Sequence, residues 1–124
     1  MDISELVGKT LAKIEINKSK EEDDYIIFCC EDSTKYKMYH KLECSEGVWI
    51  DDINGEIEDL IGTAILMATE SSNSSDDNAH ESVTWTFYKI ATVKGYVDIK
   101  WYGESNGYYS ESVDFEKIEE QKIY

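Results

Sequence analysis

Apolar and polar positions alternate most regularly between Val83 and Phe115, through VTWTFYKIATV, KG, YVDIKWYG, ESNG and YYSESVDF. Val97, Ile99 and Trp101 alternate with Tyr96, Asp98, Lys100 and Tyr102, and a period of two marks a strand with one buried face. Lys94-Gly95 and Asn106-Gly107 read as tight turns, because Gly accepts positive φ and Asn tolerates it. The stretch therefore predicts three consecutive antiparallel strands.

Upstream, Asp2, Ser4 and Glu5 ahead of Leu6 and Val7 suggest a short helical turn ended by Gly8. Thr10 to Asn17 alternates as a half-buried strand near an edge, and Lys18 to Asp24 is a charged turn. Tyr25 to Cys30 is apolar on both faces, which predicts a central strand paired on both sides and covered above and below. With Thr34 to Lys41 these segments form a meander. His40 to Gly62 admits two readings: a hairpin across Asn54-Gly55, or a short helix over 54–61 that puts Ile53, Ile57, Leu60 and Ile61 on one face. The helix is the preferred one. Thr63 to Thr69 reads as a buried strand, residues 71–82 as a mobile acidic loop, and 116–124 as a short helix or loose tail. The expected fold is one mainly β domain over residues 1–124 with one short helix, an antiparallel meander sheet curled toward a barrel or sandwich.

Charge narrows the function classes. The chain has 124 residues, with 27 acids against 12 basic residues, all lysine, and a net charge of −15. Such a field repels nucleic acid and anionic membranes and favours basic partners. Absence of arginine removes the usual bidentate group for phosphate and guanine, so direct nucleic-acid binding is not expected. Neither a signal-peptide pattern nor an apolar run of membrane length is present, which predicts a cytoplasmic protein without membrane contact. Cys29, Cys30 and Cys44 make an odd count with no disulfide framework and read as reduced thiols.

Candidate chemistry is sparse. Between Lys41 and Lys89 lie 11 acids and no lysine, leaving 16 acids and 12 lysines elsewhere. If Asp51, Asp52, Glu56, Glu58 and Asp59 share a face, they could imitate phosphate spacing and cover a basic nuclease or DNA-binding surface; otherwise they are a solvated, solubilising surface. A calcium loop starting at Asp52 fails at Ile57 and Thr63, where Gly and Glu are required. His40, Cys44, Glu43 and Glu46 cluster in sequence but lack the paired spacing of a structural zinc site, so no metal or cofactor is expected. No nucleophile has an evident base, and an enzyme is not expected. Trp101, Tyr102, Tyr108 and Tyr109 flank the Asn106-Gly107 turn, so on paired strands at least two of them point outward, as a stacking platform or as ordinary cross-strand pairs.

YxMYHxxxCxExVWIDDI (Tyr36 to Ile53) and WYxxSNGYYS (Trp101 to Ser110) together resemble a family of small phage and prophage proteins of largely unknown function, over Leu6 to Phe115. The combination is also similar to the anti-Thoeris sponge proteins of phages, compact oligomeric β proteins that capture cyclic ADP-ribose-type immune signals. That resemblance implies a non-enzymatic anti-defence protein of the bacterial host's cytoplasm that sequesters a nucleotide-derived ligand. It implies ligand contacts at Asn106, Tyr108 and Tyr109, with Trp101 nearby and Lys100 standing in for the missing arginine. The alternatives are an acidic inhibitor of a basic nuclease, in the manner of anti-CRISPR proteins, and a virion or assembly component that uses exposed aromatics as an interface.

Overall fold

Alternating segments pair here into two antiparallel sheets of four strands each. A computed structural model gives the arrangement and describes residues 2–18, 23–41, 46–78, 81–105 and 111–118. In chain order the elements are the 3-10 turn η1 (Ile3–Leu6), β1 (Leu11–Asn17), β2 (Tyr25–Cys30), β3 (Lys35–Tyr39), β4 (Gly47–Asn54), the 3-10 turn η2 (Ile57–Leu60), β5 (Met67–Asn78), β6 (Glu81–Thr92), β7 (Gly95–Ser105) and β8 (Asp114–Ile118). The first sheet runs β1-β2-β3-β8 and the second β4-β7-β6-β5. Mainly β is therefore the observed class, the β1–β3 meander is present, and no closed barrel forms.

Both sheets contribute to one core. Ile26, Phe28, Tyr36, Met38 and Phe115 come from the first, and Ile50, Tyr88, Ile90, Val97, Ile99 and Trp101 from the second. Trp101 is the largest fully buried side chain, and its indole N–H points at the Met38 sulfur, 3.2 Å away, across the space between the sheets. Leu6, Leu11, Leu60 and Ile65 close one end of this layer. Asp24, itself buried, ties the sheets further: its Oδ2 accepts the Ile50 N–H at 2.8 Å, beside the register shift in β4 between Ile50 and Asp52.

Several expectations are corrected. Tyr108 to Phe115 was expected to pair with β7, but β4 and β6 occupy both edges of β7 as far as Glu104 and Ser105. With no free edge there, β8 joins β3 in the other sheet. The expected 71–82 loop is largely strand: β5 runs to Asn78, and its Ser/Asn-rich backbone is held by β6 although the side chains of 71–74 are exposed. Glu116 to Ile118 are strand rather than tail, and residues 119–124 lie outside the described residues. Tyr25, Ile27 and Cys29 are only half-buried, because β2 is paired on both sides but covered on one face. Between Thr63 and Leu66 the chain is irregular, bridged from Ala64 to Thr10, and strand begins at Met67. At 54–61 neither reading holds alone: VWIDDI is strand, and the following helix is a single 3-10 turn. Its apolar face is as expected, with Leu60 buried and Ile53, Ile57 and Ile61 packed against the core.

Two predictions follow from this packing. Truncating Trp101 to Ala removes the contact between the sheets and should cost about 3–5 kcal/mol in urea denaturation. At the β3–β8 seam, the Tyr39 hydroxyl donates to Glu116 Oε1 at 2.8 Å. That carboxylate, aided by desolvation, pushes the phenol up from 10.0 to about 12. A raised native value means the contribution is complete below the unfolded value and drains away as pH rises from 10.0 to about 12. The stability gap between wild type and Tyr39→Phe should therefore close across that window in pH-dependent melts; a gap that stays constant would show that the bond does not hold the seam.

Candidate functional site

Strand parity decides which residues reach solvent. With Val97, Ile99 and Trp101 inward, Asp98, Lys100, Tyr102 and Glu104 lie on the outer face of the second sheet. Register then aligns Trp49 of β4, Tyr102 of β7, Trp85 of β6 and Asn73 of β5 in one cross-strand row. Trp49 and Tyr102 lie 4.9 Å apart at 48°, and Trp85 meets Tyr102 edge-on at 4.6 Å and 60°. Trp49 is 39% exposed, and Trp85 and Tyr102 are half-buried.

The next rows carry Asp52, Lys100, Phe87 and Ser71, then Asn54, Asp98, Lys89 and Thr69. Lys100 Nζ sits 4.3 Å from the Trp85 ring centre and 3.5 Å from Asp51 Oδ2. Lys89 Nζ lies 5.1 Å from the Tyr96 ring centre and 3.9 Å from Asp98 Oδ1. Both ion pairs are partly exposed, a setting in which such pairs contribute little and are readily exchanged for another anion. Asn54, Thr69, Ser71, Phe87, Lys89, Asp98 and Lys100 line an open depression of about 470 Å³. Asp51, Asp52, Asp98 and Glu104 are set against Lys89 and Lys100, so this face is only mildly acidic on a molecule of charge −15.

A second polar cluster is buried where the core ends. Glu111 is 8% exposed and its carboxylate accepts from Ser82 at 3.2 Å, Thr84 at 3.0 Å and Ser105 at 2.8 Å. It packs over Gly103, where a Cβ would lie 2.9 Å from the Glu111 Cβ. His40, at the end of β3 in the other sheet, is buried against the residue that follows Glu111, with Nδ1 2.7 Å from the Ser112 carbonyl and Nε2 3.1 Å from Glu46 Oε2. These contacts fasten the chain entering β8 to the starts of β4 and β6 and the end of β7.

The expected site residues divide. Lys100 lies on the outer face, half-buried beside Trp85 and Asp51. Trp101 is not: at 1% exposure, with its N–H on Met38, it cannot form an exposed platform, because the alternation that makes β7 a strand assigns it to the core. Asn106, Tyr108 and Tyr109 lie outside the described residues, as do Glu43 and Cys44. Asp51, Asp52, Glu56 and Glu58 are exposed and Asp59 is half-buried, all along the end of β4 and through η2. Among the described residues no group of three or more His, Cys, Asp or Glu could hold a metal ion. Likewise no helix there is long and apolar enough to cross a membrane. Trp49 and Trp85 escaped the sequence reading; the signal was the parity of Val83, Trp85 and Phe87, whose apolar face turns outward while Thr86, Tyr88 and Ile90 turn inward.

Residues 4–115 match the family described as a domain of unknown function, DUF7448. The chain belongs to that family. No curated protein and no solved structure matches it. The match spans every strand through the start of β8, so both the aromatic row and the buried cluster fall within the DUF7448 domain.

The buried cluster makes a prediction of its own. Replacing His40 by Ala removes one partner of a carboxylate whose side chain is 0% exposed, Glu46, and should cost about 3 kcal/mol or more by denaturant titration. Replacing both residues by apolar ones of similar volume should recover much of that loss.

Proposed function

We propose that this DUF7448 protein is a non-catalytic capture protein whose ligand face is the outer side of the second sheet. The ligand is nucleotide-derived: its base stacks on the Trp85–Tyr102–Trp49 row and its phosphate turns toward Lys100 and Lys89. In this reading the biological role is anti-defence, the removal of an immune signal in the cytoplasm of a bacterial host by a phage or prophage product that forms homo-oligomers. The observation that carries it is the coincidence, on one only mildly acidic face, of three clustered aromatic rings with two lysines that line the adjoining depression, Lys100 standing over Trp85. Aromatic stacking supplies affinity that a −15 field does not oppose, and the loosely paired lysines supply local positive charge where arginine is absent. Resemblance to the sponge proteins points the same way, with the platform moved from the Asn106-Gly107 turn to β4, β6 and β7.

The exposure of Asp51, Asp52, Glu56 and Glu58 favours a second reading, an acidic inhibitor that covers a basic nuclease. One panel separates the two. Cyclic nucleotides and ADP-ribose derivatives should raise the melting temperature, since a ligand at 100 times its Kd adds about 2.7 kcal/mol. Trp85→Ala should weaken binding by about 5- to 100-fold, the usual worth of one stacked base, and Lys100→Ala should reduce its salt dependence. Silence across the panel, or full binding by Trp85→Ala, would remove the stacking face. Salt-sensitive binding to basic nucleases that survives Trp85→Ala and fails on neutralising the four acids would establish the second reading instead.

A further inference from the structure

The four outer edges of the two sheets are not equivalent. β1 has a register shift between Leu11 and Lys13, β4 has one between Ile50 and Asp52, and β8 is five residues long. Bulges, charges and short length are the devices that keep an edge from pairing with another chain. From Met67 to Ser75 β5 carries only one of them, the single charge of Glu70: its register with β6 is unbroken there, and the run MATESSNSS contains no Pro and no Lys. Residues 69–74 are all exposed. Antiparallel geometry turns alternate N–H and C=O groups of β5 away from β6, and among the described residues no backbone hydrogen bond from a turn or loop meets Met67 to Ser74.

Beside this edge lies a groove of about 510 Å³, lined by Asp2 and Ser4 at the start of η1 and by Ala68 to Ser72 of β5. Its charge is negative. Glu70 accepts from the Tyr88 hydroxyl at 3.3 Å and Asp2 accepts the Ser4 N–H at 3.3 Å, and among the described residues neither forms an ion pair with lysine. Burial, with a smaller contribution from the charge of Asp2, holds the Glu70 carboxyl above its ordinary value, as expected for a site that lacks a cation.

We infer that the free edge of β5 is a strand-addition site for an extended, lysine- or arginine-bearing segment of another protein. The incoming backbone pairs with β5 and occupies the groove beside η1. Side chains on the Glu70 and Ser72 side of that strand face Asp2 and Glu70, which selects a basic residue there. The alternate side chains lie beside Thr69, Ser71 and Asn73, which are uncharged and accept small polar or β-branched neighbours. A second copy of this chain is the poorer occupant, since β5-to-β5 pairing would bring two molecules of charge −15 and two Asp2–Glu70 pairs to one seam. This site uses the backbone edge of β5 and the groove beside η1, and it adjoins the aromatic face only through Thr69, Ser71 and Asn73.

The test uses the full chain and three short synthetic peptides: one alternating Lys with Thr, one alternating Glu with Thr, and the Lys peptide N-methylated on alternate residues. Fluorescence anisotropy should show binding of the Lys peptide, with slowed amide exchange confined to 67–75. N-methylation, which blocks one ladder edge, should abolish binding, and the Glu peptide should not bind. Glu70→Gln should weaken the Lys peptide about three- to fivefold, the scale of one partly exposed charge pair. Failure of the Lys peptide to bind, equal binding of the methylated or Glu peptide, or protection elsewhere would overturn the inference. So would concentration-dependent dimerisation that protects β5 without peptide, which would assign the edge to a second copy.

Discussion

Trp101 has to be dry, and much of the structure follows from that. It stands in the middle of β7, a strand hydrogen-bonded on both sides, and its indole fills the space opposite Met38 of the other sheet. Period-two alternation then leaves no freedom: Val97, Ile99 and Gly103 must also face inward, and Lys100, Tyr102 and Glu104 outward. A slip of one residue against β4 or β6 would reverse both faces at once. The register of the second sheet is therefore fixed by one large side chain with a single polar atom to satisfy.

Moving along β7 from Val97 toward Ser105, the interior changes character. Beyond Trp101 comes Gly103, which leaves room for the Glu111 segment, and the layer is completed by hydroxyls and carboxylates instead of aliphatic groups. Three hydroxyl donors on the Glu111 carboxylate compensate its loss of water, as charge-assisted hydrogen bonds do in a buried setting. His40 and Glu46 do the same for each other from the first sheet. These polar contacts have defined partners and directions, so they hold residues 111–113, ahead of β8, in one place, a task that nonspecific apolar packing performs less selectively.

Strand content, the β1–β3 meander and the buried parity of β7 were all legible from alternation, and turn chemistry located the β6–β7 turn to within one residue, at Val93-Lys94 ahead of Gly95. Partner choice was not. The return of β8 to β3 depends on β7 having both edges occupied, a nonlocal fact that the sequence around Asn106 does not encode. β5 hid for a different reason: Ser, Asn and Asp read as loop formers, yet an edge strand needs only backbone pairing on one side. On β6 the local pattern pointed the wrong way, since Val83, Trp85 and Phe87 look like the core face and lie outside. The outward position of Lys100 follows from the alternation of β7, whereas the rings of Trp49, Tyr102 and Trp85 come from three strands and meet only through register.

The three tryptophans of the chain are divided between environments by this arrangement. Trp101 lies in the apolar interior against a thioether, while Trp49 and Trp85 flank Tyr102 on the solvent side, with an ammonium group over Trp85. The protein thus carries two intrinsic optical probes without labelling. Emission at short wavelength, shielded from aqueous quenchers, reports whether the two sheets remain together. Quencher-accessible emission, and near-ultraviolet dichroism from rings less than 5 Å apart, report on the outer face alone.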